Sequence, residues 1–432
     1  MTYQDAHEPF ADNPPWWTAP YTVALVVMPV LLLAALLVPP EFHWLVRRPG
    51  KFMNLETFVI GFAGLVSFAA CAFLASRPGN KPPALPLIAS RDDPVFCQTI
   101  VALSWVIAAI TILAYVIWLG GLALRPDLIR AVLTLQKTGN LIRNSFDTVS
   151  GVTTFVQSGI LYSILLCLRW VYVPKARPSR AEWLIFGVIL VFATFRNLMW
   201  GERIALLEPL IPLVLFACRK IRRPGMWALA PLLGVIALFF FFSGFEYFRS
   251  WRYYSQIYSG EFWTFMFQRL SAYYIVAIDN GAGYFLNHQP SWIPVATADW
   301  FWRFPVDFGL SDAARDLGIN RLAYREFLYW HAWPELNNSS GLFAPFFDFG
   351  VAGGLLVWSI TGLFVGYLYG MFRRGSLVGL ILYPSWYFGV LELARIPWFF
   401  SVRMFAVTTP SIAVLLILTM IASRRSKLLA PA

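Results

Sequence analysis

Long apolar runs separated by polar turns dominate this chain. A helix that crosses a bilayer needs about 20 mostly apolar residues. By this criterion the sequence predicts an all-α polytopic membrane protein with about ten spans, near residues 21–38, 55–75, 97–119, 151–173, 182–200, 204–218, 226–245, 350–371, 377–394 and 405–422. The first 17 residues are acidic and lack the basic region of a cleaved signal peptide, so we expect the first span to be retained.

The composition fits a membrane protein and excludes several other classes. Hydrophobic residues make up 58% of the 432 and charged residues 13%, whereas soluble domains carry about 25% charged residues. A net charge of +11 is compatible with nucleic-acid binding. Basic residues also flank membrane segments, and the apolar runs favour that explanation, so no nucleic-acid partner is expected. The four cysteines lack metal-ligand or redox spacing.

Basic turns predict the orientation of the spans. Arginine and lysine are dense in four segments, 174–180, 219–225, 372–376 and 423–427. With ten alternating spans all four lie in the cytoplasm, as the positive-inside rule requires, and so do both termini. Arg47, Arg48 and Lys51 oppose this assignment because they would lie outside. The segment 125–150 is too polar to span, and we interpret it as an interfacial helix on the outer side.

One long segment interrupts the bundle pattern. Residues 246–340 would lie outside the membrane, and 25 of these 95 residues are Trp, Tyr or Phe. A loop this long is usually functional or disordered, and the aromatic content argues against disorder. We predict a cap of short helices across the outer face, embedded in a single domain of residues 1–432, with a functional site beneath it.

Candidate chemistry begins with the arginines, because motifs for ATP binding, zinc hydrolysis and serine hydrolysis are absent. Arg196 and Arg203 flank the turn between the fifth and sixth spans. The sixth span is short and contains Pro209 and Pro212, and such spans place ionisable groups below the membrane surface only beside a cavity. Alternatively, this is a plain outer turn in which Glu202 or Glu208 pairs with an arginine.

The cap contributes a second set of candidates. Arg249 and Arg252 follow the seventh span and could instead extend to lipid headgroups. The sequence predicts a helix over 261–280 in which Arg269, Tyr273, Val276 and Asn280 lie at i, i+4, i+7 and i+11. The polar members of this set form one face, with Asp279 beside them. A helix that only packs in a core does not need such a face, so we expect it to contact substrate.

The remaining candidates lie where the cap joins the eighth span and between the last two spans. Glu335 or His331 could accept a hydroxyl proton, although His331 also fits a core position between Trp330 and Trp333. Asn337 lies beside them. Asp348 is predicted to cap the eighth span, and Gly350, Gly353 and Gly354 to admit a neighbouring helix. Glu392 and Arg395 at i, i+3 could form only an ion pair, and Arg403 extends the same outer basic group.

Together these features resemble bacterial polysaccharide repeat-unit polymerases of the O-antigen polymerase (Wzy) type. The resemblance rests on the number of spans, the turn Gly201–Arg203, the large outer loop and the stretch NNSSGLFAPFFDFGVAGG at 337–354. Arg249 and Gly260 also match an arginine-to-glycine spacing described for the family's outer loops. A second copy of that spacing is absent from the later part of the cap.

The resemblance implies a GT-C-like glycosyltransferase that needs no metal or cofactor. Its substrates would be undecaprenyl-pyrophosphate-linked oligosaccharides at the periplasmic face of the bacterial inner membrane, and a flippase and a chain-length regulator would be partners besides the lipid bilayer. Guanidiniums would stabilise the leaving pyrophosphate, and Glu335, ahead of His331, would be the base. The pyrophosphate ligands would be Arg196, Arg203, Arg249 and Arg269, and the other substrate contacts Arg252, Tyr273, Asp279, Asn280, Asn337, Arg395 and Arg403.

Two other functions fit the same sequence. An O-antigen ligase-like enzyme shares this topology and donor and differs in its acceptor, which is lipid A-core. A flippase or other secondary transporter would place its ionisable residues near the membrane midplane, on broken helices of two repeats. The sequence shows no repeat, and its ionisable residues gather at the outer rim, so an enzyme is favoured. A non-catalytic assembly subunit would leave the outer arginines unexplained.

Overall fold

The computed structural model describes residues 14–42, 50–77, 92–133, 149, 151–200, 204–221, 224–251, 254–256, 258, 260–302, 309–318, 323–331 and 336–428. Within these ranges all regular structure is helical, as the sequence predicts. The sixteen helices are α1 (Pro20–Leu37), α2 (Leu55–Ser76), α3 (Pro94–Ala123), α4 (Pro126–Leu133), α5 (Ser158–Tyr172), α6 (Arg180–Trp200), α7 (Ile204–Lys220), α8 (Pro224–Ala228), α9 (Ala230–Glu246), α10 (Phe262–Asn287), α11 (Asp299–Trp302), α12 (Leu310–Asp316), α13 (Ala323–His331), α14 (Ala344–Arg373), α15 (Leu377–Leu391) and α16 (Val402–Leu428).

Six apolar helical segments among the described residues are long enough to cross a membrane, and they involve α1, α2, α3, α5, α14 and α16. Two further helices, α9 and α15, are apolar but shorter. Each of the ten predicted spans coincides with a helix. The structure therefore supports a membrane protein with six candidate spans, and the total of ten stays a prediction.

The tightest helix contact joins α2 to α14. Gly362, Gly366 and Gly370 form a stripe along α14, where each is one turn from the next. A Cβ atom built on Gly362 would lie 2.2 Å from the Phe68 carbonyl oxygen, and one on Gly366 would lie 2.2 Å from that of Ala72. Only glycine allows the two backbones this approach, which is how small residues at four-residue spacing join helices within a membrane.

The start of α14 differs from the sequence prediction. The helix begins at Ala344, six residues before the predicted span, and is interrupted at Gly350 with φ 62° and ψ −168°. The Asp348 carboxylate does not cap the span as predicted, because it accepts hydrogen bonds from the backbone N–H groups of Ala296 (3.0 Å) and Thr297 (2.7 Å). It thereby ties the cap to α14.

The predicted role of the neighbouring glycines is also wrong. Cβ atoms built on Gly353 and Gly354 would meet Phe349 (2.4 Å) and Phe346 (2.2 Å) of the same helix. These glycines make room for the aromatic rings of the preceding turn and do not admit a neighbouring helix. The close helix approach occurs at Gly362 and Gly366 instead.

Three of the turns predicted to be cytoplasmic meet at one end of the bundle. The Arg219 guanidinium donates to the Tyr172 hydroxyl (3.2 Å) and lies 4.2 Å from the centre of the Phe372 ring. Lys220 Nζ donates to the Trp170 carbonyl (3.2 Å). We call this the basic end, defined by residues 169–182, 219–221 and 372–376. The cap end is defined by the last turns of α6, α9 and α15, the cap helices and the segment 336–343.

Lys51, one of the three basic residues that oppose the predicted orientation, has a local structural role. Its ammonium group donates to the carbonyl of Val38 (2.7 Å) and to that of Leu36. These carbonyls belong to the C-terminal end of α1, where a lysine satisfies unpaired acceptors and complements the helix dipole. The charge of Lys51 therefore serves to cap a helix. Arg47 and Arg48 lie outside the described residues.

Candidate functional site at the cap end

The polar segment 336–343 is held against the turn that follows α15. The Ser340 N–H donates to the Arg395 carbonyl (3.1 Å), and the Leu342 N–H donates to the Leu393 carbonyl (3.0 Å). A Cβ atom on Gly341 would lie 2.3 Å from the Ile396 carbonyl oxygen, so this position requires glycine. The segment on which the family resemblance depends is therefore packed tightly beside Arg395.

Helix α10 packs against the other side of this segment. The Asn280 amide donates to the carbonyls of Leu336 (2.8 Å) and Asn338 (3.1 Å). Asp279 Oδ1 accepts the backbone N–H groups of Phe52 and Met53, each at 2.8 Å. Both side chains are completely buried. The structure thus uses Asp279 and Asn280 to fix backbone segments, and contact of either with substrate stays a prediction.

Arg395 lies in the turn after α15, beside α10. Its Nε is 2.7 Å from Glu392 Oε2, but the N–H is not aligned for a hydrogen bond. Its guanidinium carbon lies 4.7 Å from the centre of the Tyr273 ring. The residue is 6% exposed. Its Nη1 and Nη2 atoms donate no hydrogen bond to any residue that the structure describes, so they can still bind a ligand.

The surroundings of Arg395 keep its guanidinium charged. Burial lowers the pKa of a guanidinium, but the Glu392 carboxylate and the hydroxyls of Tyr273 and Tyr274 act in the opposite direction and raise the pKa of Arg395 above its ordinary value. A permanently charged, planar group with several donors is the side chain best suited to bidentate contact with a phosphate.

Arg269 is a second predicted arginine that the structure buries at this end. Its Nε donates to Glu246 Oε2 (3.0 Å) and its Nη2 to Ser250 Oγ (3.4 Å). Its guanidinium lies 5.2 Å from the centre of the Tyr254 ring. Sequence reasoning missed Glu246, since this carboxylate ends an apolar run 23 positions before its partner and no local pattern links the two residues.

Arg403 forms a third arginine–glutamate contact. Its Nη1 lies 3.3 Å from Glu208 Oε1, and the side chains are 28% and 3% exposed, respectively. The sequence offered Glu208 as a partner for an arginine of the turn between the fifth and sixth spans. The structure gives it a partner at the start of α16 instead, so this contact joins α7 to α16.

Arg196 occupies a separate position near the end of α6. Its side chain is buried, and its guanidinium lies 4.8 Å from the centre of the Trp118 ring in α3. Because Arg196 is at the same end of the bundle as Arg395, it stays a candidate anion ligand.

Of the predicted proton acceptors, the structure describes His331. His331 is exposed and contacts the rings of Phe52 and Phe327, with centroids 5.9 and 4.9 Å away. Asn337 is exposed too, and its carbonyl accepts the Tyr324 hydroxyl (3.3 Å). The predicted contacts at Glu335, Arg203 and Arg252 lie outside the described residues, as does the side chain of Arg249.

Arg249 lies in a π-helical turn, Tyr247–Trp251, that continues α9. Such turns are rare and are frequently found at functional sites. This turn also carries Ser250, which contacts Arg269. The described residues include no group of three His, Cys, Asp or Glu side chains placed to bind a metal ion, and metal independence stays a prediction.

Comparison with known proteins does not place the chain in a family. No family model matches it, and no similar curated protein or solved structure is found.

Proposed function

We propose that this chain is a membrane glycosyltransferase that joins undecaprenyl-pyrophosphate-linked oligosaccharides into a polysaccharide. The site would lie at the cap end, which the orientation of the basic turns would place on the periplasmic side of the bacterial inner membrane. The donor is a growing glycan on its pyrophosphate carrier, and the acceptor is the next lipid-linked repeat unit. The reaction would use no metal, because fixed guanidiniums can stabilise the leaving pyrophosphate.

The observation that carries this proposal is the environment of Arg395. A charged guanidinium is buried within an apolar helical protein and stacked on Tyr273, and its buried Nε has no aligned hydrogen-bond acceptor among the described residues. Burying a charge whose hydrogen bonds are incomplete costs free energy, unless a ligand supplies the missing hydrogen bonds. A phosphate oxygen pair matches the fork of donors that Arg395 presents.

The other arginine–glutamate contacts refine the expected mode of binding. Arg269 and Arg403 each have a glutamate within 3.3 Å, so these arginines do not form a free cluster of positive charge. Pyrophosphate would first engage Arg395, and Arg269, which is one helical turn from Tyr273 on α10, would support it from the same face. The aromatic rings around Arg269 and Arg395 restrict both guanidiniums before substrate arrives.

A reconstituted polymerisation assay tests the proposal. The purified chain in nanodiscs is supplied with an undecaprenyl-pyrophosphate-linked repeat unit, and products are separated on a gel. We expect a ladder from the wild type, which persists in EDTA, and loss of the ladder from Arg395→Gln. Arg315→Gln is the matched control, since Arg315 in the cap is 75% exposed and pairs only with surface acids.

The same assay separates the rival functions. Transfer of a single glycan to a lipid A-core acceptor without a ladder would indicate a ligase. Movement of a fluorescent lipid-linked oligosaccharide between leaflets without glycan growth would indicate a transporter and would contradict the proposal. Size-exclusion profiles and melting temperatures of each variant establish that a lost activity does not reflect misfolding.

A further inference from the structure

Three arginine–glutamate pairs are buried among the described residues, and two of them differ sharply in how well they are hydrogen-bonded. At the basic end, Arg169 contacts both carboxylate oxygens of Glu182 and donates its Nε to the Ala176 carbonyl (2.7 Å). The Ser179 N–H also donates to Glu182 (2.8 Å). Every nitrogen of this guanidinium contacts a protein acceptor, so we interpret the pair as purely structural.

At the cap end, the Arg395–Glu392 pair is incompletely hydrogen-bonded. The closest approach is 2.7 Å between Arg395 Nε and Glu392 Oε2, and neither atom has an aligned hydrogen-bond partner. Glu392 is 5% exposed, and it is tethered three residues from Arg395. Among the described residues, no protein donor fixes Glu392 as Ser179 fixes Glu182. The carboxylate is therefore held mainly by charge, and a stronger anion could replace it.

We propose that Glu392 holds the place of a substrate phosphate on Arg395 and becomes the catalytic base when the phosphate displaces it. The second half of this inference rests on the proposed function. The pyrophosphate carries about two negative charges against one on the carboxylate, and it can engage two nitrogens of Arg395 at once. The released carboxylate loses its cationic neighbour. It stays within a few ångströms of the bound phosphate and is therefore close to the anomeric carbon that an acceptor hydroxyl would attack.

The acceptor hydroxyl oxygen forms a bond to the anomeric carbon of the donor, and its proton passes to the Glu392 carboxylate. The bond between the anomeric carbon and the pyrophosphate oxygen breaks, and its electron pair leaves with the pyrophosphate, which Arg395 stabilises. The proton on Glu392 is then lost to water. Nothing is oxidised or reduced.

Binding measurements test the first half of the inference without requiring turnover. Undecaprenyl pyrophosphate is titrated into nanodiscs that contain the wild type or Glu392→Gln, a change that keeps the shape and removes the charge. If Glu392 competes for Arg395, the variant binds the lipid more tightly, by roughly threefold to tenfold, because the internal competitor is gone. Weaker or unchanged binding would overturn the inference, since a purely structural pair gains nothing from this change.

The pair at the basic end supplies the matched control. Glu182→Gln removes the same charge from a buried arginine, so we expect a lower melting temperature and no gain in lipid affinity. Glu392→Asp is a second variant that tests the inference if Glu392→Gln does not fold. Its shorter carboxylate competes less well, so lipid affinity should still exceed that of the wild type, and affinity no better than wild type would also overturn the inference.

Turnover tests the second half. Glu392→Gln should reduce polymerisation at saturating substrate by roughly 100-fold or more, the usual contribution of a general base, while Glu392→Asp restores part of it. Polymerisation by Glu392→Gln at the wild-type rate would exclude the base and leave the proposed function standing. Tighter lipid binding by Glu392→Gln, together with no glycan growth by the wild type, would instead support displacement and contradict the proposed function.

Discussion

The Arg395 guanidinium stacks on the Tyr273 ring, with 4.7 Å between the guanidinium carbon and the ring centre. This contact joins the turn after α15 to the cap helix α10. It fixes the orientation of a charged side chain whose only ion pair in the described part of the chain is with Glu392. The contact between these two residues therefore connects the cap to the bundle at the candidate site.

Removing the aromatic ring should weaken the binding of undecaprenyl pyrophosphate. A cation–π contact contributes about 0.5–2 kcal/mol, so Tyr273→Leu should lower the affinity by roughly 2- to 30-fold. Tyr273→Phe keeps the ring and should bind nearly as the wild type does. Titration of the lipid into nanodiscs measures both variants, and equal affinities for them would show that the ring does not position Arg395.

Substitution of Asp279 separates its structural role from the predicted contact with substrate. Asp279→Leu leaves the N–H groups of Phe52 and Met53 without their acceptor, and each buried donor left unsatisfied costs about 1–3 kcal/mol. We expect a clear fall in melting temperature for Asp279→Leu and a smaller one for Asp279→Asn, which keeps one acceptor oxygen. A stable Asp279→Asn variant that loses turnover would support the substrate contact instead.

The glycine stripe of α14 should tolerate no side chain. Gly366→Ala places a Cβ atom 2.2 Å from the Ala72 carbonyl oxygen, and the resulting separation of α2 from α14 should cost about 1–3 kcal/mol. Gly187→Ala is the matched control because a Cβ atom there meets nothing within 4 Å. Thermal unfolding in detergent should show a decrease for Gly366→Ala alone, and equal melting temperatures would refute the close contact.

Acid should destabilise the cap through His288. Burial lowers the pKa of this imidazole below 6.5, and Asp348 opposes the shift only in part. The unfolded chain therefore takes up a proton more readily than the folded one. The contribution of His288 to stability is fully present above pH 6.5 and is lost as the pH falls through the lower pKa of the folded state.

Melting temperatures between pH 8 and pH 5 test this dependence on His288. The wild type should lose more stability over this range than His288→Phe, a variant that keeps a ring against Tyr284, where the centroids are 4.7 Å apart in the wild type. Parallel curves for the two proteins would show that another group is responsible.

The helices were predictable from the sequence because an apolar run is a local signal. The helical stretch before the break at Gly350 was not predicted, because residues 344–349 combine aromatic side chains with an aspartate, a pattern typical of a loop before a span. Only the structure shows that Asp348 binds the backbone at Ala296 and Thr297. The pattern also hid the break at Gly350, which depends on a backbone angle that glycine allows.

The site was predictable in part. The face of α10 that carries Arg269 and Tyr273 was recognised from helical spacing, and the ion pair of Glu392 with Arg395 from their separation of three residues. The partners Glu246 and Glu208 lie 23 and 195 positions from their arginines, so their pairing is set by tertiary packing. The structure places Arg269 and Arg403 beside carboxylates that no local pattern assigns to them.

The most direct measurement is glycan elongation by the purified wild type and by Arg395→Gln in nanodiscs that contain an undecaprenyl-pyrophosphate-linked repeat unit. We predict a ladder of products from the wild type and no ladder from a folded Arg395→Gln variant. No elongation by the wild type, or equal ladders from both proteins, would contradict a glycosyltransferase site built around Arg395.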